Sequence, residues 1–155
     1  MSETAGFLQR PDGERLAWRR VAGASPTVVW MGGFRSDMAG TKAQALADWA
    51  QGAGRGYLRF DYFGHGESSG DFVRGTITRW REDALAVIDE MTEGPLVLVG
   101  SSMGGWIACL AALARPERTH AMVLIAPAPD FTTKLMPSRF PVSYTHLTLP
   151  TTERV

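Results

Sequence analysis

Five residues constrain this chain more than any others: Gly100-Ser101-Ser102-Met103-Gly104. They follow the apolar run Pro95-Leu96-Val97-Leu98-Val99 and open the apolar stretch 106–113. A strand passing through G-x-S-x-G into a helix is the context of a nucleophile elbow. The physical reason is crowding. The turn is so tight that Gly100 and Gly104, two residues either side of the central serine, have no room for bulky side chains. Ser102 itself is held strained with its Oγ exposed. A plain glycine-rich turn is the competing reading, and the strand before and helix after it favour the nucleophile.

Composition sets the outer limits. At 155 residues the chain has the size of one ordinary domain, and 45% apolar with 21% charged residues are globular values. Zero formal net charge argues against nucleic acid as an obligatory partner. The single cysteine, Cys109, lies in an apolar helical stretch, which implies no disulfide framework, no metal cluster and a reducing compartment. No run reaches membrane-spanning length, and Met1-Ser2-Glu3-Thr4 carries no basic-then-apolar pattern. A soluble, cytoplasmic protein with no membrane partner is expected, its oligomeric state left open.

The remaining elements alternate. Arg10-Pro11-Asp12-Gly13 between two alternating runs predicts a hairpin. Thr27–Met31 predicts a buried strand ending at Gly32-Gly33. Thr41 with Gln44 reads as a capping box, and Ala43, Leu46, Ala47 and Ala50 recur at helical spacing until glycines 52, 54 and 56. Tyr57–Phe60 is the next strand, followed by a glycine-rich loop from Asp61 to Gly75. Ile77, Trp80, Ala84, Leu85, Ile88 and Met91 mark one face of a second helix. Arg115-Pro116 ends the third helix, and Ala121–Ile125 is one more apolar strand. Apolar strands alternating with helices imply a parallel sheet covered on both faces.

A serine nucleophile needs donors for the developing oxyanion and a base for its own proton. The first donor is the Met103 backbone N–H, at the start of the helix. The second is assigned to the Phe34 N–H, in the glycine-rich loop after the Thr27–Met31 strand. Gly32-Gly33-Phe34, Asp61-Tyr62-Phe63-Gly64-His65-Gly66-Glu67-Ser68 and Gly100–Gly104, each after a successive strand, resemble the α/β-hydrolase family. The segments 32–43 and 68–72 are similar to one branch of it. That branch contains the palmitoyl-protein thioesterase that also cleaves mycophenolic acid acyl-glucuronide, and bacterial relatives. The resemblance covers residues 6 to 135. It implies hydrolysis of small-molecule esters or acyl-protein thioesters through an acyl-serine, with no metal or organic cofactor. A peptidase or lactonase on the same fold, and a non-catalytic α/β-hydrolase-like binding scaffold, are the alternatives.

In that family the order is serine, then acid, then histidine. His65 precedes Ser102 and reads as structural, as do Asp61 and Asp37, while His120 reads as a surface or strand-edge residue. The triad acid and histidine are therefore expected to be absent from this chain, and the fold to be truncated after its sixth strand. Pro127–Phe131 is expected to begin a lid insertion. His146 is the one late histidine. It lies in Val142-Ser143-Tyr144-Thr145-His146-Leu147-Thr148-Leu149-Pro150-Thr151, which resembles a translated frame of a transposon-end sequencing adapter. Residues 1–141 are thus read as the N-terminal part of one hydrolase domain, expected to be inactive on its own, and 142–155 as a non-native tail.

Overall fold

The computed structural model describes residues 2–127. Strands β1 (Glu3–Gln9) and β2 (Arg15–Val21) form the expected hairpin, paired from Glu3↔Val21 to Gln9↔Arg15. Its turn closes through Gly13 N–H to Arg10 O at 3.0 Å, with Gly13 at φ 91°, a left-handed conformation that suits glycine. Beyond it come β3 (Ala24–Met31), α1 (Thr41–Ala53), β4 (Arg55–Phe60), a 3-10 turn (Phe72–Arg74) and α2 (Ile77–Met91). Then follow β5 (Leu96–Ser101), α3 (Met103–Ala114) and β6 (Thr119–Ile125).

The six strands form one sheet in the order β1-β2-β4-β3-β5-β6. β4, β3, β5 and β6 run parallel, and the hairpin is added antiparallel through β2. Alternation within each strand sorts the core onto two faces. Val29, Met31, Leu58, Phe60, Leu96, Leu98, Met122 and Leu124 pack under α2 and α3. Val28, Trp30, Tyr57 and Val99 face the other way and meet Ala43, Ala47 and Ala50 of α1. This is the two-sided parallel sheet that the apolar strands predict. β6 is the last strand among the described residues, and its Val123, on the face opposite Met122 and Leu124, is 46% exposed.

Two local expectations need correction. The residue that caps α1 is Gly40, not Thr41, and it makes no side-chain cap. Gln44 is not free to close a capping box, because its amide donates to Asp48 and its carbonyl accepts from Arg59 at 3.1 Å. The three glycines after α1 also differ in kind. Gly52 lies within the helix and Gly54 is its left-handed cap at φ 67°, donating to Ala50 O. Gly56 already belongs to β4, where a Cβ would stand 3.0 Å from Thr27 Oγ1. The lid segment beyond Pro127, His146 and the tail 142–155 lie outside the described residues.

Candidate active site

The parallel strands β3, β4 and β5 discharge their chains at the same edge of the sheet, where open α/β sheets bind ligands. Three loops meet there. The turn after β5 has Ser102 at φ 55°, ψ −119°, outside the ordinary regions for a residue with a side chain. Its N–H is tied to Ile125 O at 2.9 Å and its carbonyl accepts from Gly105 at 2.9 Å. Ser102 is exposed, whereas Ser101 is half-buried.

Both glycines of the turn are sterically required. A Cβ on Gly100 would lie 2.2 Å from Gly104 O, and one on Gly104 would lie 1.9 Å from Met31 O. The turn is therefore pressed against itself and against the end of β3. That close approach brings the next loop over the serine: a Cβ at Gly33 would sit 3.5 Å from Ser102 Cβ. Among the described residues, the backbone N–H groups of Phe34 and Met103 have no hydrogen-bond partner. Met103 opens α3, so its N–H belongs to the unsatisfied first turn of a helix, which favours negative charge. Trp30, Gly33, Phe34, Asp37, Lys42 and Ser102 line a cleft of about 310 Å³ at this point.

The loop after β4 grips the loop after β3 at three places. Tyr62 Oη donates to Gly32 O at 3.0 Å, His65 Nε2 accepts from Arg35 N–H at 3.2 Å, and Asp61 Oδ1 accepts from Met38 N–H at 2.8 Å. Asp61 also accepts from Glu67 N–H at 2.9 Å. Its carboxylate occupies the space a Cβ at Gly66 would need, 2.2 Å away, which explains that glycine at φ 50°. Burial pushes the Asp61 carboxyl above its usual range, against the pull of its two backbone donors. Burial likewise pushes the Tyr62 phenol up, keeping it a donor.

Asp61 and His65 thus have the structural place that sequence reasoning assigns them, but as clamps on one specific loop. Tyr62 was missed. Its signal is a phenol immediately after a buried strand, where a hydroxyl must find a partner. Asp83 was missed too: it is buried on α2, accepts from Phe63 N–H at 2.8 Å and pairs with Arg79 at 3.0 Å. His120 is exposed at the start of β6, the opposite end of the sheet from Ser102. Cys109 is buried, and burial pushes its thiol up to about 12. Among the described residues, no group of three or more His, Cys, Asp or Glu could hold a metal ion, and no helix is long and apolar enough to cross a membrane.

Comparison with known proteins agrees with this architecture. The family model described as Serine aminopeptidase, S33 matches residues 24–154. Palmitoyl-protein thioesterase ABHD10, mitochondrial, of Bos taurus is 46% identical over 124 residues, covering 80% of this chain and 40% of its own length. The Homo sapiens protein of that name is 44% identical over 124 residues, with the same coverage of 80% and 40%. The chain therefore spans about 40% of the length of these curated relatives. Alpha/beta hydrolase domain-containing protein 10 from mouse superposes with a TM-score of 0.80 at 37% identity, covering 94% of this chain and 57% of that one. A hydrolase from Agrobacterium vitis S4 gives 0.78 at 44% identity, covering 92% and 59%.

The relatives overturn one expectation. The ABHD10 proteins of Bos taurus, Rattus norvegicus and Homo sapiens are mitochondrial, which contradicts the cytoplasmic assignment. A low cysteine count reports a reducing environment and does not distinguish one such compartment from another. With the strand order, the turn at Ser102 and the family match across residues 24–154 in agreement, this chain belongs to the α/β-hydrolase family.

Proposed function

We propose that Ser102 is the nucleophile of a serine hydrolase that cleaves carboxylic esters or thioesters. The observation that carries this reading is the strained turn that exposes Ser102 beside Gly33, where a Cβ would stand 3.5 Å from Ser102 Cβ, with the Phe34 and Met103 N–H groups unpartnered among the described residues. Ser102 Oγ attacks the acyl carbon and gives up its proton to a base. The carbonyl oxygen becomes an oxyanion that accepts from Phe34 and Met103 N–H. Collapse expels the alcohol or thiol, and water then releases the acid from the acyl-serine by the same steps. Protein S-acyl cysteines and small-molecule esters are the substrates to try first, because curated relatives are named palmitoyl-protein thioesterases.

The base and its acid are proposed to come from a segment other than residues 2–127. Residues 142–155 are proposed to be foreign to the natural protein on their likeness to a translated sequencing adapter, although the family match runs on to residue 154, so His146 is not that base. The test of the nucleophile is labelling with a fluorophosphonate in the product of the uninterrupted gene, which is proposed to supply the missing base. Ser102→Ala should abolish labelling and cut ester turnover by about a million-fold, as loss of a nucleophile does. Ser101→Ala should keep both. Labelling that survives Ser102→Ala and vanishes in Ser101→Ala would assign the nucleophile to Ser101 and overturn the reading. Turnover of acyl-thioesters, nitrophenyl esters and aminoacyl amides by the same preparation separates the thioesterase, esterase and peptidase readings; labelling of none would favour a binding scaffold.

A further inference from the structure

His65 is enclosed on every side, 3% exposed, with the rings of Tyr62, Phe72 and Trp80 at 5.5, 5.1 and 5.1 Å, all edge-on. Both ring nitrogens meet backbone groups. Nδ1 is 3.0 Å from Phe63 O, and Nε2 is 3.2 Å from Arg35 N. A carbonyl can only accept and an amide N–H can only donate. The ring is therefore neutral, protonated on Nδ1, with its lone pair on Nε2 pointing at Arg35. That bond ends on the residue after Phe34. Arg35 has φ 61°, a left-handed conformation that side-chain-bearing residues adopt only when their surroundings hold them.

We propose that His65 is a positioning residue for the loop that carries the Phe34 N–H, and that a second proton on its ring releases that loop. This rests on the reading of Phe34 as an oxyanion donor. The loop has three side-chain anchors, and they respond differently to a proton. The Tyr62 phenol is held as a donor by burial. The Asp61 carboxyl keeps an acceptor oxygen for Met38 whether or not it is ionised. The imidazole alone exchanges its one acceptor for a donor, which then faces the donor of Arg35.

Among the described residues the neighbouring carboxylates already hold other partners, Asp37 the Ala39 N–H and Glu67 the Arg19 guanidinium. Arg35 and Asp37 come from the loop itself, and Asp61 and Glu67 from the His65 loop. Asp71 and Arg74 bracket the 3-10 turn, and Arg79 with Asp83 lies on α2. The carboxylates of Asp61, Asp71 and Asp83 already accept from backbone N–H groups. The Arg35 guanidinium lies over the Phe34 and Phe72 rings, at 5.6 and 5.1 Å, so a cation already borders the His65 cage.

The full chain labelled with 15N tests this directly. The imidazole nitrogens should resonate as a protonated Nδ1 and a bare Nε2. Across an acid titration the Arg35 amide proton should shift with the same midpoint as the His65 ring nitrogens. His65→Gln supplies an acceptor that gains no proton, so it should keep the Arg35 amide where it is and remove that midpoint. His65→Phe should lose the amide shift and, in the product of the uninterrupted gene, slow phosphonylation of Ser102 by about tenfold, less than the hundredfold or more of a deleted oxyanion donor. His65→Gln should restore the rate. An Nε2–H tautomer, an Arg35 amide indifferent to ring protonation, or equal labelling of the Gln and Phe variants would overturn the proposal. Absence of labelling in every variant of the uninterrupted protein would instead count against Ser102 as nucleophile, and the nitrogen shifts would still read the His65–Arg35 bond by themselves.

Discussion

Gly33 and Gly104 flank the same serine, yet a methyl group on each has opposite consequences. On Gly104 it would enter the Met31 carbonyl at 1.9 Å and the Gly32 carbonyl at 2.6 Å, both backbone atoms that cannot rotate away. On Gly33 it would meet Ser101 O, Ser102 Cβ and Ser36 Oγ at 3.4 to 3.6 Å, ordinary contact distances. Gly104→Ala should therefore destabilise the protein by about 4 kcal/mol or more, the range reserved for severe backbone conflict. Gly33→Ala should fold close to normally and lose reactivity at Ser102, because its methyl occupies space above the nucleophile. Urea unfolding of both variants, with fluorophosphonate labelling of the Gly33 variant, separates the two effects. An unperturbed midpoint for Gly104→Ala would show that the turn can open away from β3.

At the scale of elements, α1 offers a simple gain. Gly52 is exposed inside the helix, with a normal helical φ and nothing within 4 Å of where a Cβ would stand. Gly52→Ala should raise stability by about 0.5–1 kcal/mol, the helix-interior difference between the two residues. A thermal midpoint that stays put or falls would mean that the end of α1 is held by something other than its helical backbone. The same glycine shows what the sequence can and cannot disclose. Apolar periodicity places α1, α2 and α3, and uninterrupted Val and Leu runs place β3, β5 and β6, because burial on fixed faces is written in every second or fourth residue. Glycines 52, 54 and 56 look alike in sequence, yet one is helical, one is the cap and one is in a strand. Only tertiary packing distinguishes them. Gly100, Ser102 and Gly104 are legible because their constraint is local to five residues. The clamps from Tyr62, His65 and Asp61 onto residues 32, 35 and 38 are not, because no periodicity links two loops that meet across a sheet edge.

For the molecule as a whole, the decisive question is where Ser102 would send its proton. The sequence has three histidines, at 65, 120 and 146. Both nitrogens of His65 are committed to Phe63 O and Arg35 N–H, so it has no lone pair to spare for Oγ. His120 is one residue beyond Thr119, which pairs with Leu96, whereas Ser102 follows Ser101, which pairs with Ile125. At about 3.3 Å per residue along a parallel strand, that separation is about 16 Å. A general base has to come within hydrogen-bond reach of the proton it takes. Neither described histidine meets that geometry, and His146 falls in the stretch proposed to be foreign. The 155-residue chain should accordingly show at most the residual thousand-fold or so over water that an oxyanion hole and binding leave behind. A short-chain nitrophenyl ester assay would barely register it. Amplification from source DNA across the codon for Pro141 should replace Val142–Val155 with a sequence that supplies an acid and then a histidine, and its product should turn over the ester rapidly. Recovery of the same tail before a genuine stop codon, with brisk turnover by the chain that His146→Ala abolishes, would make His146 the base and the tail part of the protein.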